Sequence, residues 1–81
     1  MNKTITIKYF ASLQELAPVD EEIITTDLSS YRELYQFLAS KYSFSLSDQQ
    51  IKLAVNHDFA DLDQIIENNA YVVFIPPVAG G

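Results

Sequence analysis

At 81 residues the chain has room for one domain with a small core and none for a second. Hydrophobic residues make up 48% of it, among them five tyrosines and five phenylalanines, which is enough apolar material to fold rather than stay disordered. Eleven acidic against five basic residues give a net charge of −6, which argues against nucleic acid and favours basic protein partners, and the absence of cysteine excludes disulfides, thiolate metal sites and a cysteine nucleophile.

The first residues, Met1-Asn2-Lys3-Thr4, lead straight into a strand pattern, without the charged lead and apolar block of a signal peptide, and no apolar stretch is long enough for a membrane helix. A cytoplasmic location without membrane contact is the expectation, and the missing cysteines fit a reducing compartment. Ile5, Ile7 and Tyr9 alternate with Thr4, Thr6 and Lys8, the period of a strand with one buried and one wetter face. Phe10 has the parity of the polar set: either its ring lies exposed, inviting a partner, or the strand ends at Tyr9 and the ring turns into the core. Ser12-Leu13-Gln14-Glu15 has capping-box spacing for one or two helical turns, soon followed by Pro18. The acidic run Asp20-Glu21-Glu22 reads as a solvated loop, and Ile23-Ile24-Thr25-Thr26 as a second strand antiparallel to the first.

Ser30-Tyr31-Arg32-Glu33 repeats the capping-box spacing, and Tyr31, Leu34, Tyr35, Leu38 and Tyr42 recur on one face of a helix that packs on the sheet. Residues 43–50, with three serines and no period, form a loop. Ile51, Leu53 and Val55 alternate with Lys52, Ala54 and Asn56 as a third strand, followed by the turn-prone His57-Asp58. His57, the only histidine, reads as a solvated turn residue, and Phe59 as a second exposed ring. Asp61 and Asp63 read as solvated, since their spacing aims them at no common point and matches no calcium loop. Asn68-Asn69 marks a turn into Ala70–Ile75, a run apolar on both parities, as in a central strand covered on both faces. Strand, strand, helix, strand, strand, with one long helix to cover one sheet, predicts an α+β roll of the β-grasp (ubiquitin-like) type with four to five strands in a mixed sheet. Its boundaries are a body over 1–75 and a flexible tail over 76–81.

The tail is the most distinctive stretch. Pro76 and Pro77 fix φ and carry no backbone N–H, so a paired strand cannot pass through them and the chain leaves the sheet as a stiff, outward-pointing segment. Gly80 and Gly81 behave in the opposite way, since without Cβ they can thread a channel too narrow for a side chain. Extended, the six residues reach about 20 Å, enough to place Gly81 in another protein's pocket.

Tyr9-Phe10-Ala11, Glu15-Leu16, Ala54-Val55-Asn56, Asn68-Asn69 and above all Phe74-Ile75-Pro76-Pro77-Val78-Ala79-Gly80-Gly81 resemble the small subunits of molybdopterin synthase, a family of ubiquitin-like sulfur carriers, and in length and element order the likeness spans the chain. It departs from the family pattern at Asn69-Ala70, where Gly-Asp is usual, and at Gln14, where a basic residue often precedes Glu15 and makes an ionic contact to the large subunit. The resemblance implies that sulfur travels as a thiocarboxylate on the terminal carboxyl of Gly81. A ubiquitin-activating-like adenylyltransferase would use ATP to form the acyl adenylate, and a sulfur donor enzyme would displace AMP. The tail would then enter the large subunit, in a two-plus-two assembly, and deliver sulfur to cyclic pyranopterin monophosphate. On this reading no side chain is catalytic and no cofactor or metal is bound: Gly81 bears the chemistry, Gly80 clears the path, and Pro76, Pro77, Val78 and Ala79 position them. Phe10, Phe59 and Ile75 match the family's interface hydrophobes and form the expected docking patch. Three other readings stay open: a carrier for thiamine thiazole or tRNA thiolation, a modifier joined through Gly81 to lysines, and an interaction domain whose tail is incidental.

Overall fold

A computed structural model describes residues 2–77. Along the chain run β1 (Lys3–Tyr9), α1 (Ala11–Leu16), β2 (Glu21–Thr26), α2 (Tyr31–Tyr42), β3 (Lys52–Val55), β4 (Asp58–Ala60) and β5 (Tyr71–Ile75). The five strands form one mixed sheet in the order β2-β1-β5-β3-β4, with β5 parallel to β1 and antiparallel to β3. β5 is thus the central strand, as its two-sided apolar run requires, and the architecture is the expected β-grasp roll.

Strand alternation sorts the sheet into two faces. Ile5, Ile7 and Tyr9 of β1, Leu53 of β3, and Val72 and Phe74 of β5 are buried on one of them, and Tyr31, Leu34, Tyr35 and Leu38 of α2 are buried in the same core. Full burial of each such side chain is worth about 1.5–3 kcal/mol. At one end the core is a stack of rings: Tyr35 lies 5.3 Å from Phe74, and Phe44 lies 6.0 Å from Tyr9 and 6.1 Å from Tyr35. α2 starts with the expected capping box, in which Ser30 accepts from the Glu33 N–H while the Glu33 carboxylate accepts from the Ser30 N–H. Ser43 ends it in a left-handed conformation, φ 60°, which turns Phe44 back into the core.

Four local expectations are corrected. Ser12 does not cap α1: the N-cap is Phe10, with no side-chain cap, because β1 runs directly into the helix and the Phe10 carbonyl itself accepts from the Leu13 N–H. The acidic run is not a loop, since Glu21 and Glu22 begin β2, and the half-buried Glu22 accepts hydrogen bonds from the hydroxyls of Tyr9 (2.6 Å) and Tyr42 (2.7 Å). Residues 58–60 form a strand, β4, joined to β3 by a two-residue turn in which Asn56 (φ 52°) and His57 (φ 76°) both take positive φ, the geometry that matches strand twist in a tight hairpin. His57 is exposed in that turn, as expected. Asp63 is exposed but not simply solvated: its carboxylate accepts from the Arg32 guanidinium at 2.8 Å, which holds it below the usual carboxylate range.

Candidate functional site

The chain leaves the sheet from its centre. β5 closes at Ile75, where the prolines begin; Pro76 is buried and Pro77 exposed. What surrounds this exit follows from register. Tyr9 pairs with Phe74 in parallel, so Phe10, one step on and still extended (φ −124°, ψ 152°), stands abreast of Ile75, whose other neighbour is Lys52. One row back, Lys8 pairs with Val73, Val73 with Ala54, and Ala54 with Phe59. Paired residues point to the same side, and these are the parity opposite to the buried Tyr9, Phe74 and Leu53. All of them therefore occupy the sheet face that α2 does not cover.

The three expected interface residues thus share one face, next to the tail. Phe59 is 79% exposed and Phe10 46%, which settles the Phe10 alternative in favour of exposure, and Ile75 is half-buried between its neighbours. Three strand spacings across and one row along separate the two rings, about 15 Å by about 7 Å. Beside Phe59 an open groove of about 450 Å³ runs past Lys52 and Leu62 to Arg32, so the ring forms one wall of a depression. The face is apolar in the middle with cations at its rim: Lys8 Nζ lies 5.9 Å above the Phe10 ring and 3.6 Å from Asp20. Val73, Ala54 and Tyr71 belong to the same surface and were not singled out in the sequence; the parity of β5 was the available signal, hidden because both of its faces are apolar.

Asn69 takes φ 67° before β5 and its N–H donates to the Thr4 carbonyl at 2.7 Å. This is the left-handed conformation that glycine adopts freely and asparagine tolerates, so the departure from Gly-Asp is accommodated. Gln14 is exposed on α1. Val78, Ala79, Gly80 and Gly81 lie outside the described residues. Among the described residues, no group of three or more His, Cys, Asp or Glu side chains is arranged to hold a metal ion, and no helix is long and apolar enough to cross a membrane. What the geometry offers is an exposed, largely apolar face beside the end of the central strand.

The family model of the ThiS family matches residues 7–81. The chain belongs to the ThiS family. It is 29% identical over 80 residues to the molybdopterin synthase sulfur carrier subunit of Escherichia coli K12, covering 95% of this chain and 99% of that protein. Among solved structures it resembles a putative molybdopterin converting factor subunit 1 from Pyrococcus furiosus, with TM-score 0.74, 26% identity, and 94% and 99% of the two chains covered. A chain in the complex of subunits 1 and 2 of the molybdopterin-converting factor from Helicobacter pylori matches with TM-score 0.59 and 22% identity, over 96% of this chain and 99% of that one, which bears on the fold alone. The resemblance carried by the tail and the element order thus leads to the same family group, and the ThiS-family chain spans nearly the full length of these relatives.

Proposed function

We propose that this ThiS-family chain is the sulfur-carrying small subunit of molybdopterin synthase, with residues 76–81 as its delivery arm. Gly81 is adenylated at the expense of ATP by a ubiquitin-activating-like partner, and a sulfur donor replaces AMP to leave a thiocarboxylate. The large subunit then receives the tail and supplies the pocket and the acid-base groups, and the sulfur passes to cyclic pyranopterin monophosphate to build the dithiolene. The body contributes binding and orientation, which is why the side chains around the exit are apolar and cationic rather than an acid-base constellation. It acts in the cytoplasm and holds no cofactor of its own.

One observation carries this reading: the strand that runs into the two prolines is the central one, and its last residue, Ile75, lies on the uncovered face between Phe10 and Lys52, with Phe59 on the same face. A partner seated on that face receives the tail directly. The name of the Escherichia coli relative supports the choice of pathway. The test is to mix the chain with a molybdopterin synthase large subunit and cyclic pyranopterin monophosphate after sulfur loading. Stable co-elution and formation of the dithiolene product are expected, with the product lost on deletion of Gly81 or on addition of a residue after it. Failure to bind the large subunit, with binding instead to a thiazole-forming or tRNA-thiolating enzyme, would reassign the pathway. Isopeptide-linked adducts on lysines would make the chain a modifier.

A further inference from the structure

The two edges of the sheet are unlike. β4 is three residues long, whereas β2 runs for six, Glu21–Thr26, with neither proline nor lysine. Natural edges are usually blunted by shortness, lysine, proline or a bulge. Its hydrogen-bonding phase follows from one contact: the Tyr9 N–H donates to the Asp20 carbonyl at 2.9 Å, one step beyond the Lys8↔Glu21 pair. Bonded and non-bonded pairs alternate in an antiparallel ladder, so Glu22, Ile24 and Thr26 bond inward to β1 while Glu21, Ile23 and Thr25 turn their N–H and C=O groups outward. Ile23 is 70% exposed on that strand. Behind it, Ile24 and Leu28 form a groove of about 560 Å³ with Phe37 and Lys41 of α2, and Phe37 is 51% exposed on a helix whose other large apolar residues are mostly buried.

Charge narrows the occupant. Asp20 is paired with Lys8, and Glu22 accepts from two tyrosines, but the exposed Glu21 and Asp27 at the two ends of the strand form no ion pair among the described residues. Lys3 is committed to the Leu28 carbonyl at 2.6 Å, and Lys41 stands 5.2 Å over the Tyr42 ring. A second copy fits poorly: each chain carries a net charge of −6, and antiparallel self-pairing centred on Ile24, which matches outward groups with outward groups, sets Glu21 against Asp27 at both ends. We propose that the outer edge of β2 docks an extended segment of a partner protein, apolar at alternate positions and basic at each end, which extends the sheet by one strand and lays its apolar side chains against Ile24 and Phe37. β1 separates this edge from β5, and the inference does not rest on the chemistry of Gly81.

The probe is an end-capped synthetic peptide, Lys-Val-Thr-Val-Thr-Val-Lys, titrated into the isotope-labelled full chain. Amide shifts are expected at Glu21–Thr26 and at Phe37. N-methylation of the peptide amides that face β2 abolishes binding, while N-methylation of the alternate set leaves it unchanged, a contrast that requires no change in the folded chain. Replacing both end lysines by glutamates weakens binding about tenfold at low salt, and Phe37→Ala weakens it several-fold with the fold retained. The proposal is overturned by absence of binding, by shifts centred on β4 or Phe59, by equal effects of the two methylation patterns, or by dimerisation of the chain alone through β2.

Discussion

Phe59→Ala and Phe44→Ala remove the same ring from opposite environments, and the fold assigns them opposite consequences. Phe59 is 79% exposed and Phe44 8%. A phenylalanine side chain presents roughly 200 Å², so about 150 Å² of the Phe59 ring is available for a partner to cover. At about 25 cal/mol per Å² that is worth at most about 4 kcal/mol. Incomplete packing in an interface brings the expected loss nearer 2 kcal/mol, about thirtyfold in Kd for the large subunit. Folding stability should move by no more than about 0.5 kcal/mol. Phe44 instead packs against Tyr9, Tyr35 and Tyr42. Its removal leaves a cavity in the ring stack and costs about 3–5 kcal/mol, which lowers Tm by more than about 12 °C in a domain this small. Calorimetric titration against the large subunit and thermal unfolding of both variants form the assay. Unchanged affinity for Phe59→Ala, or a Tm loss comparable to that of Phe44→Ala, would refute the division between docking face and core.

Glu22→Ala should cost about 2–3 kcal/mol in urea unfolding, because it strips the acceptor from the buried Tyr9 phenol and from Tyr42 together; a change below about 0.5 kcal/mol would mean that water replaces the carboxylate without loss. Burial first, then the hydrogen bond and charge of Glu22, push the Tyr9 hydroxyl far above its ordinary value, and burial pushes Tyr42 the same way. The folded state therefore keeps protons that the unfolded chain releases, so this stability is complete below about pH 10 and falls above it, by about 1.4 kcal/mol per pH unit for Tyr9 alone. Denaturant midpoints on either side of that pH should show the decline, and Tyr9→Phe should flatten it; an unchanged slope in that variant counts against the assignment. Asn69→Gly should be nearly neutral, while Asn69→Ala should cost about 1 kcal/mol at a backbone held at φ 67°, with equal effects telling against strain there.

Much of this was legible in residue spacing. The capping box at Ser30, the stripe from Tyr31 to Tyr42 and the alternation of Ile5, Ile7 and Tyr9 are local signals, and local geometry realises them. β4 escaped because three residues carry almost no period and the hairpin turn is Asn-His rather than Asn-Gly. The place of Glu22 was hidden for a different reason: a carboxylate in an acidic run looks solvated until the fold brings two tyrosine hydroxyls from β1 and α2 to it. Ser12 shows the converse, a correct capping spacing overridden because the strand before it leaves no separate cap residue. At the candidate site, exposed rings in polar surroundings were visible in the sequence at Phe10 and Phe59. That Phe10 and Ile75 stand abreast was not, since parallel pairing of β1 with β5 joins residues far apart in the chain.

The central claim is that Gly81 carries sulfur, and its most direct measurement is the intact mass of the chain after incubation with ATP, the adenylyltransferase and a sulfur source. The mass should rise by the difference between one sulfur and one oxygen, located at Gly81 by fragmentation, and the rise should be absent when ATP is withheld. An unchanged mass with an active adenylyltransferase, or sulfur found elsewhere in the chain, would contradict it.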